Sequence, residues 1–226
     1  MTKERVVPAA PNAREYANRL ALELIRERLA NIADIREQCR RCDADCLDGG
    51  NAVSLVHLNR TYRISLPDAG VTLAEGGEEA PIRERILILH YFTQAKGTPL
   101  SRRIITYKEL PDSIVYVPVF AKRAIEPVVS YFGDKPHRLP EVAATAFGGR
   151  PADYGDAAVT IDGFSRVPVT LVLWRGDDEF PPDGSIMFDS TIDDYLTNDD
   201  IHTLCELIVW RLVSLLKTGG DNPDNE

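Results

Sequence analysis

The stretch that decides the fold extends from Tyr154 to Leu212 and reads YGDAAVTIDGFSRVPVTLVLWRGDDEFPPDGSIMFDSTIDDYLTNDDIHTLCELIVWRL. Its first part predicts a strand pair, Ala157–Phe164 and Pro168–Trp174, with the second strand apolar enough to be covered on both faces. Its last part predicts a helix that begins at a capping-box-like Thr197–Asp200 and turns an apolar face toward a core. Strands and helices mix without βαβ regularity, so the sequence predicts an α+β fold with a mainly antiparallel sheet.

The middle of this stretch is strongly acidic. Nine carboxylates lie between Trp174 and Asp200 against one base, Arg175, which is a balance of −8 in a chain whose net charge is −9. We predict no nucleic-acid partner, because a chain with a pI near 5.0 lacks the clustered cations that phosphate recognition needs. The acidic segment is predicted to be irregular, and it could receive a protein partner.

The N-terminal part is predicted to be helical, because no Gly or Pro interrupts residues 12–48 and Asn12 with Glu15 is typical of a helix start. We predict a helical segment over residues 12–47, with a break near Asn31 or Asp34, within a single domain over residues 12–217. Residues 1–11 are predicted to be flexible and residues 218–226 to be disordered. No apolar run is long enough to span a membrane and no secretory signal precedes the helix, so we predict a soluble, cytoplasmic protein without membrane contact.

Short elements are predicted between these two parts of the chain. They are a hairpin of Ala52–Leu58 and Thr61–Leu66, an exposed loop from Pro67 to Pro81, an apolar helix Ile82–Ala95, strands at Arg103–Thr106 and Val115–Val119, and helices Ala121–Phe132 and Glu141–Phe147. Pro127 is predicted to kink its helix or to lie near the first turn.

Three cysteines, Cys39, Cys42 and Cys46, form a C-x2-C-x3-C run. Their thiolates could hold an iron–sulfur cluster, or a zinc ion together with a fourth ligand such as Cys205. The same spacing has a structural interpretation, because the cysteines continue an apolar helical stripe that begins at Ile25. Both interpretations remain open, and the structural one predicts packed, reduced thiols.

A second candidate site is the acidic loop that follows the second strand. The carboxylates of Asp177 and Glu179 could bind a divalent metal ion or act as general acid and base. The turn-forming residues around them also fit a solvated loop whose carboxylates cap helix ends or pair with arginines. This loop supports an alternative hypothesis, in which the protein is a metal-dependent enzyme.

His90 is the strongest candidate ligand among the four histidines. It lies within the apolar run Ile86–Phe92, where a buried imidazole could ligate a metal or a tetrapyrrole or could be a hydrogen-bonded core histidine. The sequence contains no G-x-S-x-G, H-E-x-x-H, G-x-G-x-x-G or P-loop signature. No catalytic residue is therefore assigned.

Several segments between Asn51 and Leu216 together resemble a known family. They are Ile86–Tyr91, Ala95–Pro99, Phe120–Arg123 with Pro127, Phe132-Gly133, Gly155–Ala158, Val167–Val169, Leu173-Trp174, Gly176–Pro181, Phe188-Asp189 and Tyr195-Leu196. The family is the uncharacterised domain of unknown function three-seven-eight-six (DUF3786), known mostly from anaerobic bacteria and archaea. Its association with iron–sulfur and corrinoid proteins implies cofactor-linked metabolism, and it supplies no catalytic residue.

The residues predict a ligand- or cofactor-binding accessory protein without a catalytic signature of its own. The family resemblance implies a place in anaerobic metabolism, linked to corrinoid or iron–sulfur chemistry. The predicted partner is a small-molecule ligand or a cofactor, with an iron–sulfur cluster, zinc or a tetrapyrrole as candidates. The predicted pocket is formed by His90, Tyr91, Arg123, Trp174, Asp177 and Glu179. The alternatives are an enzyme at the Asp177–Glu179 loop and a metal protein at Cys39, Cys42 and Cys46.

Overall fold

The computed structural model describes residues 13–219 and confirms the predicted α+β architecture. The N-terminal helical segment consists of α1 (Ala13–Ala30) and α2 (Ile35–Cys42), with the break at the expected place. Asp34 caps α2 by accepting a hydrogen bond from the backbone N–H of Glu37 over 3.0 Å. The flexible N-terminus that the sequence predicts over residues 1–11 lies outside the described residues.

The predicted helix over residues 12–47 is wrong in its last part. The backbone of Asp43 enters the left-handed region, with φ 54°, and this conformation ends α2. Aspartate adopts such a conformation more readily than most residues, because its short polar side chain can hydrogen-bond locally. The chain then forms strand β1 (Asp45–Leu47), so Cys46 lies on a strand and not on the helical stripe that its spacing predicts.

Within residues 13–219, a nine-stranded sheet forms the centre of the fold, and every pair of neighbouring strands in it is antiparallel. Besides β1, its strands are β2 (Ala52–His57), β3 (Arg60–Ser65), β4 (Gly70–Leu73), β5 (Ile104–Thr106), β6 (Arg150–Pro151), β7 (Ala157–Phe164), β8 (Val167–Trp174) and β9 (Asp183–Asp189). The order is β4-β3-β2-β7-β8-β9-β5, with β1 beside β2 and β6 beside β7. The predicted hairpin is β2–β3, and the predicted strand pair is β7–β8.

Three short elements differ from the sequence predictions. The loop predicted from Pro67 to Pro81 contains β4, and the segment predicted to be irregular after Trp174 contains β9. Gly, Pro and Asp residues flank both strands and favour turns. The alternation of apolar and polar residues within each strand is too short to outweigh them. The sequence predicts a strand at Val115–Val119, but α4 (Val117–Phe120) forms there with a proline in its first turn.

Helices pack against the sheet and carry most of the remaining core. They are α3 (Ile82–Gln94), α5 (Glu126–Phe132), α6 (Arg138–Phe147) and α7 (Asn198–Gly219). The sequence pattern predicts an inward face of α7 that extends from Ile201 to Leu215. This face is confirmed as far as Leu212, whereas Leu215 is exposed. One hydrophobic cluster includes Ile25 of α1 and Leu212 of α7. The helix extends two residues into the tail predicted to be disordered, and residues 220–226 lie outside the described residues.

A π-helical turn, Ala121–Ile125, connects α4 and α5. Pro127 explains its position, because proline has no N–H to donate to the carbonyl of Arg123 and its ring would crowd that carbonyl in a regular helix. The N–H of Glu126 instead reaches back five residues to the carbonyl of Ala121. The predicted local effect of Pro127 therefore takes the form of a widened turn. None of the helices within residues 13–219 has both the length and the apolar character to span a bilayer.

Candidate functional site

A cleft of about 1040 Å³ lies where α7, the first turn of α3 and the α4–π segment meet. Its lining residues are Arg83, Pro118, Val119, Lys122, Arg123, Glu206 and Trp210. The side chains come from three segments that are far apart in the chain. We refer to this surface as the basic cleft.

Glu206 organises the charges of the basic cleft. The residue is only 8% exposed, and its two carboxylate oxygens contact different arginines: Oε2 lies 2.7 Å from Nη2 of Arg83, and Oε1 lies 3.3 Å from Nη1 of Arg123. Burial alone would raise the pKa of Glu206, but the hydrogen bond and charge of Arg83, with a further hydrogen bond from Arg123, outweigh it and hold this pKa below its usual value. The carboxylate is therefore charged near neutral pH and holds both guanidinium groups at the cleft.

Lys122 and Arg123 reach the cleft from the π-helical turn. Such turns are rare, occur mostly as single insertions in α-helices and are frequent at functional sites. Lys122 is exposed and makes no ion pair within residues 13–219. The cleft thus combines three cations with one carboxylate, a local balance of +2 in a chain of net charge −9.

The cleft also has apolar lining residues. Trp210, one helical turn beyond Glu206 on α7, is 51% exposed, and Val119 on α4 is also exposed. His202 lies one turn before Glu206, with its Nε2 atom 3.4 Å from Glu206 Oε1 and its ring edge-on to Phe120. Burial lowers the pKa of His202, so this imidazole is neutral near pH 7 and adds no charge to the cleft.

The pocket predicted from the sequence includes Arg123 but none of the other charged residues of the cleft. The sequence of α7 does contain a pattern that indicates part of the cleft. His202, Glu206 and Trp210 recur every four residues and form a stripe beside the apolar one. Their partners on α3 and on the π-helical turn have no comparable local pattern. The convergence of the three segments depends on tertiary packing.

The predicted pocket residues do not converge on this cleft, and Arg123 is the one of the six that lines it. His90 instead faces α7, where its Nδ1 lies 2.7 Å from Oδ1 of Asp200. The other oxygen of Asp200 accepts hydrogen bonds from the backbone N–H and hydroxyl of Thr197, which confirms the predicted helix cap. His90 thus joins α3 to the start of α7.

Tyr91 points into the core from the same helix. Its ring stacks on Phe164 at 4.0 Å, its hydroxyl donates to the carbonyl of Cys42, and burial raises its pKa. Trp174 is the last residue of β8, where it pairs with Asp183 of β9. These environments differ from one another, so the sequence-predicted pocket does not correspond to one site.

The acidic loop after β8 is closed by its own backbone. Oδ1 of Asp177 accepts hydrogen bonds from the N–H groups of Glu179 and Phe180, at 2.9 and 2.8 Å. These two bonds lower the pKa of Asp177. The carboxylate already has a structural role in the loop, which favours the interpretation of a shaped, solvated turn.

The cysteine trio is divided between α2 and β1. Cys42 is buried, and its Sγ lies 3.4 Å from the carbonyl oxygen of Phe92. Burial raises the pKa of Cys42 to about 12, and burial together with the neighbouring Cys46 raises the pKa of Cys39 to about 12. Across the part of the chain that the structure describes, no three His, Cys, Asp or Glu side chains are arranged to hold a metal ion, so the geometry does not support the metal hypothesis.

A buried polar cluster at His57 was not predicted. The imidazole is fully buried at the single residue pair that joins β2 to β7, and its Nδ1 lies 2.8 Å from the carbonyl oxygen of Gly163. Its Nε2 lies 3.7 Å from Glu84, which accepts a hydrogen bond from the hydroxyl of Tyr62. Burial lowers the pKa of His57 to about 4, so the ring is neutral. This cluster packs within the core and is separate from the basic cleft.

The described chain is an α+β protein whose charged and apolar cleft residues come from α3, the α4–π segment and α7. It matches the family described as Domain of unknown function (DUF3786) over residues 34–211, which is most of its length, and therefore belongs to that family. The match begins at the cap of α2 and includes every residue of the basic cleft, whereas α1 precedes it. No curated protein and no solved structure matches the chain.

Proposed function

We propose that this protein is a binding protein, accessory to other catalysts, that recognises an anionic ligand at the basic cleft. The observation that carries this proposal is the arrangement of Arg83 and Arg123 around the buried carboxylate of Glu206. A buried anion that holds two guanidinium groups in place reduces the conformational entropy that they lose when a ligand binds. Lys122 adds a third cation, which forms no ion pair with a carboxylate of residues 13–219.

Charge and shape both support recognition of an anion that has an apolar part. The excess positive charge of the cleft attracts anions, and Arg side chains can donate two hydrogen bonds to a carboxylate or phosphate group. Trp210 provides an exposed aromatic surface within the same cleft. A ligand that carries an anionic group next to an apolar group would contact both the cations and the apolar lining residues.

A metal-dependent enzyme at the Asp177–Glu179 loop has less support. Asp177 is engaged in closing its loop, and this geometry leaves that carboxylate fewer free lone pairs for a metal ion. Measuring thermal stability with Mg²⁺ or Ca²⁺ for the wild type and for D177N tests this alternative. Stabilisation of the wild type by either ion, with loss of the effect in D177N, would favour the enzyme hypothesis.

The proposal is tested through the fluorescence of Trp210. The chain has two tryptophans, so W174F leaves Trp210 as the only one. Pyrophosphate and citrate are titrated at low ionic strength, and cobalamin, haem and flavin mononucleotide are tested by equilibrium dialysis because they absorb light. At least one of these anions should bind, and added salt should weaken its binding.

Variants of the cleft cations test whether the anion binds at the cleft, and a lysine outside the cleft provides the control. K122Q or R123Q should each weaken anion binding by about fivefold, because one cation contributes roughly 1 kcal/mol to a partly exposed site. K135Q removes an exposed lysine outside the cleft and should leave binding unchanged. The proposal would be contradicted if K122Q and R123Q bound the anion as tightly as K135Q and the wild type do, or if no anion bound at all.

A further inference from the structure

An exposed apolar turn lies immediately before α4. Ile114, Val115 and Tyr116 are 74%, 76% and 51% exposed. The turn is nevertheless well defined, because the hydroxyl of buried Ser113 donates to the carbonyl of Leu110 and the N–H of Tyr116 donates to the carbonyl of Ser113, both over 2.8 Å. We name residues 114–116 the knuckle. Three adjacent apolar side chains held in water by an ordered turn are typical of an interaction surface.

The knuckle leads directly into the wall of the basic cleft. α4 begins at Val117, and the next two residues, Pro118 and Val119, line the cleft together with Trp210. The cations Lys122 and Arg123 follow within the next turn. The molecule therefore presents a convex apolar element beside a concave basic one on the same helical segment.

The composition of this surface is that of a protein-binding site. Tyr, Trp and Arg are the residues most enriched at the energetic centres of protein interfaces, and Tyr116, Trp210 and Arg123 occur here together. A flat membrane surface could contact the knuckle but would not fill a cleft of about 1040 Å³. A second copy docked through the same surface by two-fold symmetry would bring the cations of two clefts toward each other.

We propose that the basic cleft and the knuckle together dock a partner protein through a segment that carries both carboxylates and large apolar side chains. This proposal rests on the proposed function and names its anionic ligand as the acidic side chains of a polypeptide. The positive balance of the cleft, within a chain of net charge −9, is complementary to such a segment. The knuckle supplies the apolar contact next to it.

The full chain is tested against a phage library of random linear peptides at low ionic strength, and the bound peptides are sequenced. The enriched peptides should combine Asp or Glu with Leu, Phe or Trp. Binding of the best peptide should fall by about tenfold in the knuckle variant I114S/V115S and in the cleft variant K122E, since each removes a central contact. Matched controls are L20S/L24S on the exposed face of α1 and K135E outside the cleft, and both should bind as the wild type does.

Other outcomes would overturn the proposal. If the enriched peptides lack acidic residues, the docked segment is not acidic. If the wild type and I114S/V115S enrich the same peptides equally well, the segment does not dock on the knuckle. Knuckle-dependent sedimentation with vesicles of phosphatidylglycerol and phosphatidylcholine would identify a lipid surface, and knuckle-dependent dimerisation would identify a second copy. If pyrophosphate or citrate binds the cleft and no peptide does, the proposed function stands and this inference fails. If peptides bind and K122E has no effect, anion recognition at the cleft fails.

Discussion

At the scale of single residues, His57 makes the stability of the protein depend on pH. Its folded pKa of about 4 lies below the ordinary value of 6.5 because the ring is buried. The unfolded chain therefore binds a proton more readily than the folded one, so stability is lost as the pH falls below about 6.5. We expect the free energy of unfolding to fall by about 2 kcal/mol between pH 7 and pH 5 from this residue, with a further loss from His202, whose pKa is also lowered.

Urea denaturation at pH 5, 6 and 7 measures this effect. In H57N the amide can reproduce the hydrogen bond to Gly163 and cannot titrate, so its stability should change less over this range. H137N removes an exposed histidine and should follow the wild type. Parallel pH profiles for wild type and H57N would show that His57 is not the titrating group.

Thiol reactivity is a second residue-scale property that the structure predicts. Cys39 and Cys42 have pKa values of about 12, and Cys205 is fully buried, whereas Cys46 is partly exposed. Alkylating agents react with thiolates, so iodoacetamide at pH 8 should label Cys46 first and the other three only after unfolding. Mass spectrometry of the labelled peptides checks this order. Fast labelling of the whole trio only after a chelator is added would instead support a metal held by these thiols.

At the scale of elements, Asp189 fixes the edge strand β5 to the rest of the sheet. Its buried carboxylate accepts hydrogen bonds from the backbone N–H groups of Ser101, Arg102 and Thr191, at 3.0, 2.6 and 3.1 Å. D189N would place an amide group among these donors, and we expect a loss of about 2–3 kcal/mol in the free energy of unfolding. Urea denaturation of D189N measures it, with D193N, an exposed neighbour, as a control that should cost little.

The same carboxylate contributes to acid sensitivity. Burial opposes ionisation of Asp189, but the hydrogen bonds from Thr191 and Ser101 outweigh it and lower its pKa. A lowered folded pKa means that the stabilisation is present above the unfolded pKa, near 4, and is lost as the pH falls through the folded value. D189N should therefore lose less stability than the wild type below pH 4. An unchanged acid profile would assign the acid sensitivity to other carboxylates.

Which elements the sequence could predict depended on their length and periodicity. β7, β8, α3 and α7 are long and strongly patterned, and their predicted bounds hold closely. The four residues of β4 and the seven of β9 are flanked by turn-forming residues and lack a comparable signal. In α4 the β-branched side chains favoured a strand, but a proline in the first turn and the neighbouring π-helical turn favour a helix.

At the scale of the whole molecule, the net charge of the chain hides the local charge of the basic cleft. The acidic stretch after Trp174 dominates the net charge, but much of it is satisfied locally: Asp177 closes a loop, Asp189 holds β5 and Asp194 pairs with Lys96. The local positive balance of the basic cleft is invisible in a net charge of −9. It depends on three segments that only the tertiary fold brings together, so no single-sequence pattern could have revealed it.

The last prediction concerns α1, which lies outside the family match at residues 34–211. This helix packs on α3 mainly through Ile25 and Leu29, which are almost fully buried. Burial of two such side chains contributes about 4 kcal/mol, so a chain that begins at Asp34 should still fold and should lose about that much stability. Urea denaturation and far-ultraviolet circular dichroism measure both properties.

Two variants of the full-length chain test whether the lost stability comes from the packing of α1 and not from the shorter chain. I25A should cost about 3 kcal/mol, because it leaves a cavity between α1 and α3. L20S/L24S changes the exposed face of the same helix and should cost little. If the chain that begins at Asp34 is unfolded, α1 is an integral part of the core; if it is as stable as the full chain, the contacts of Ile25 and Leu29 contribute little.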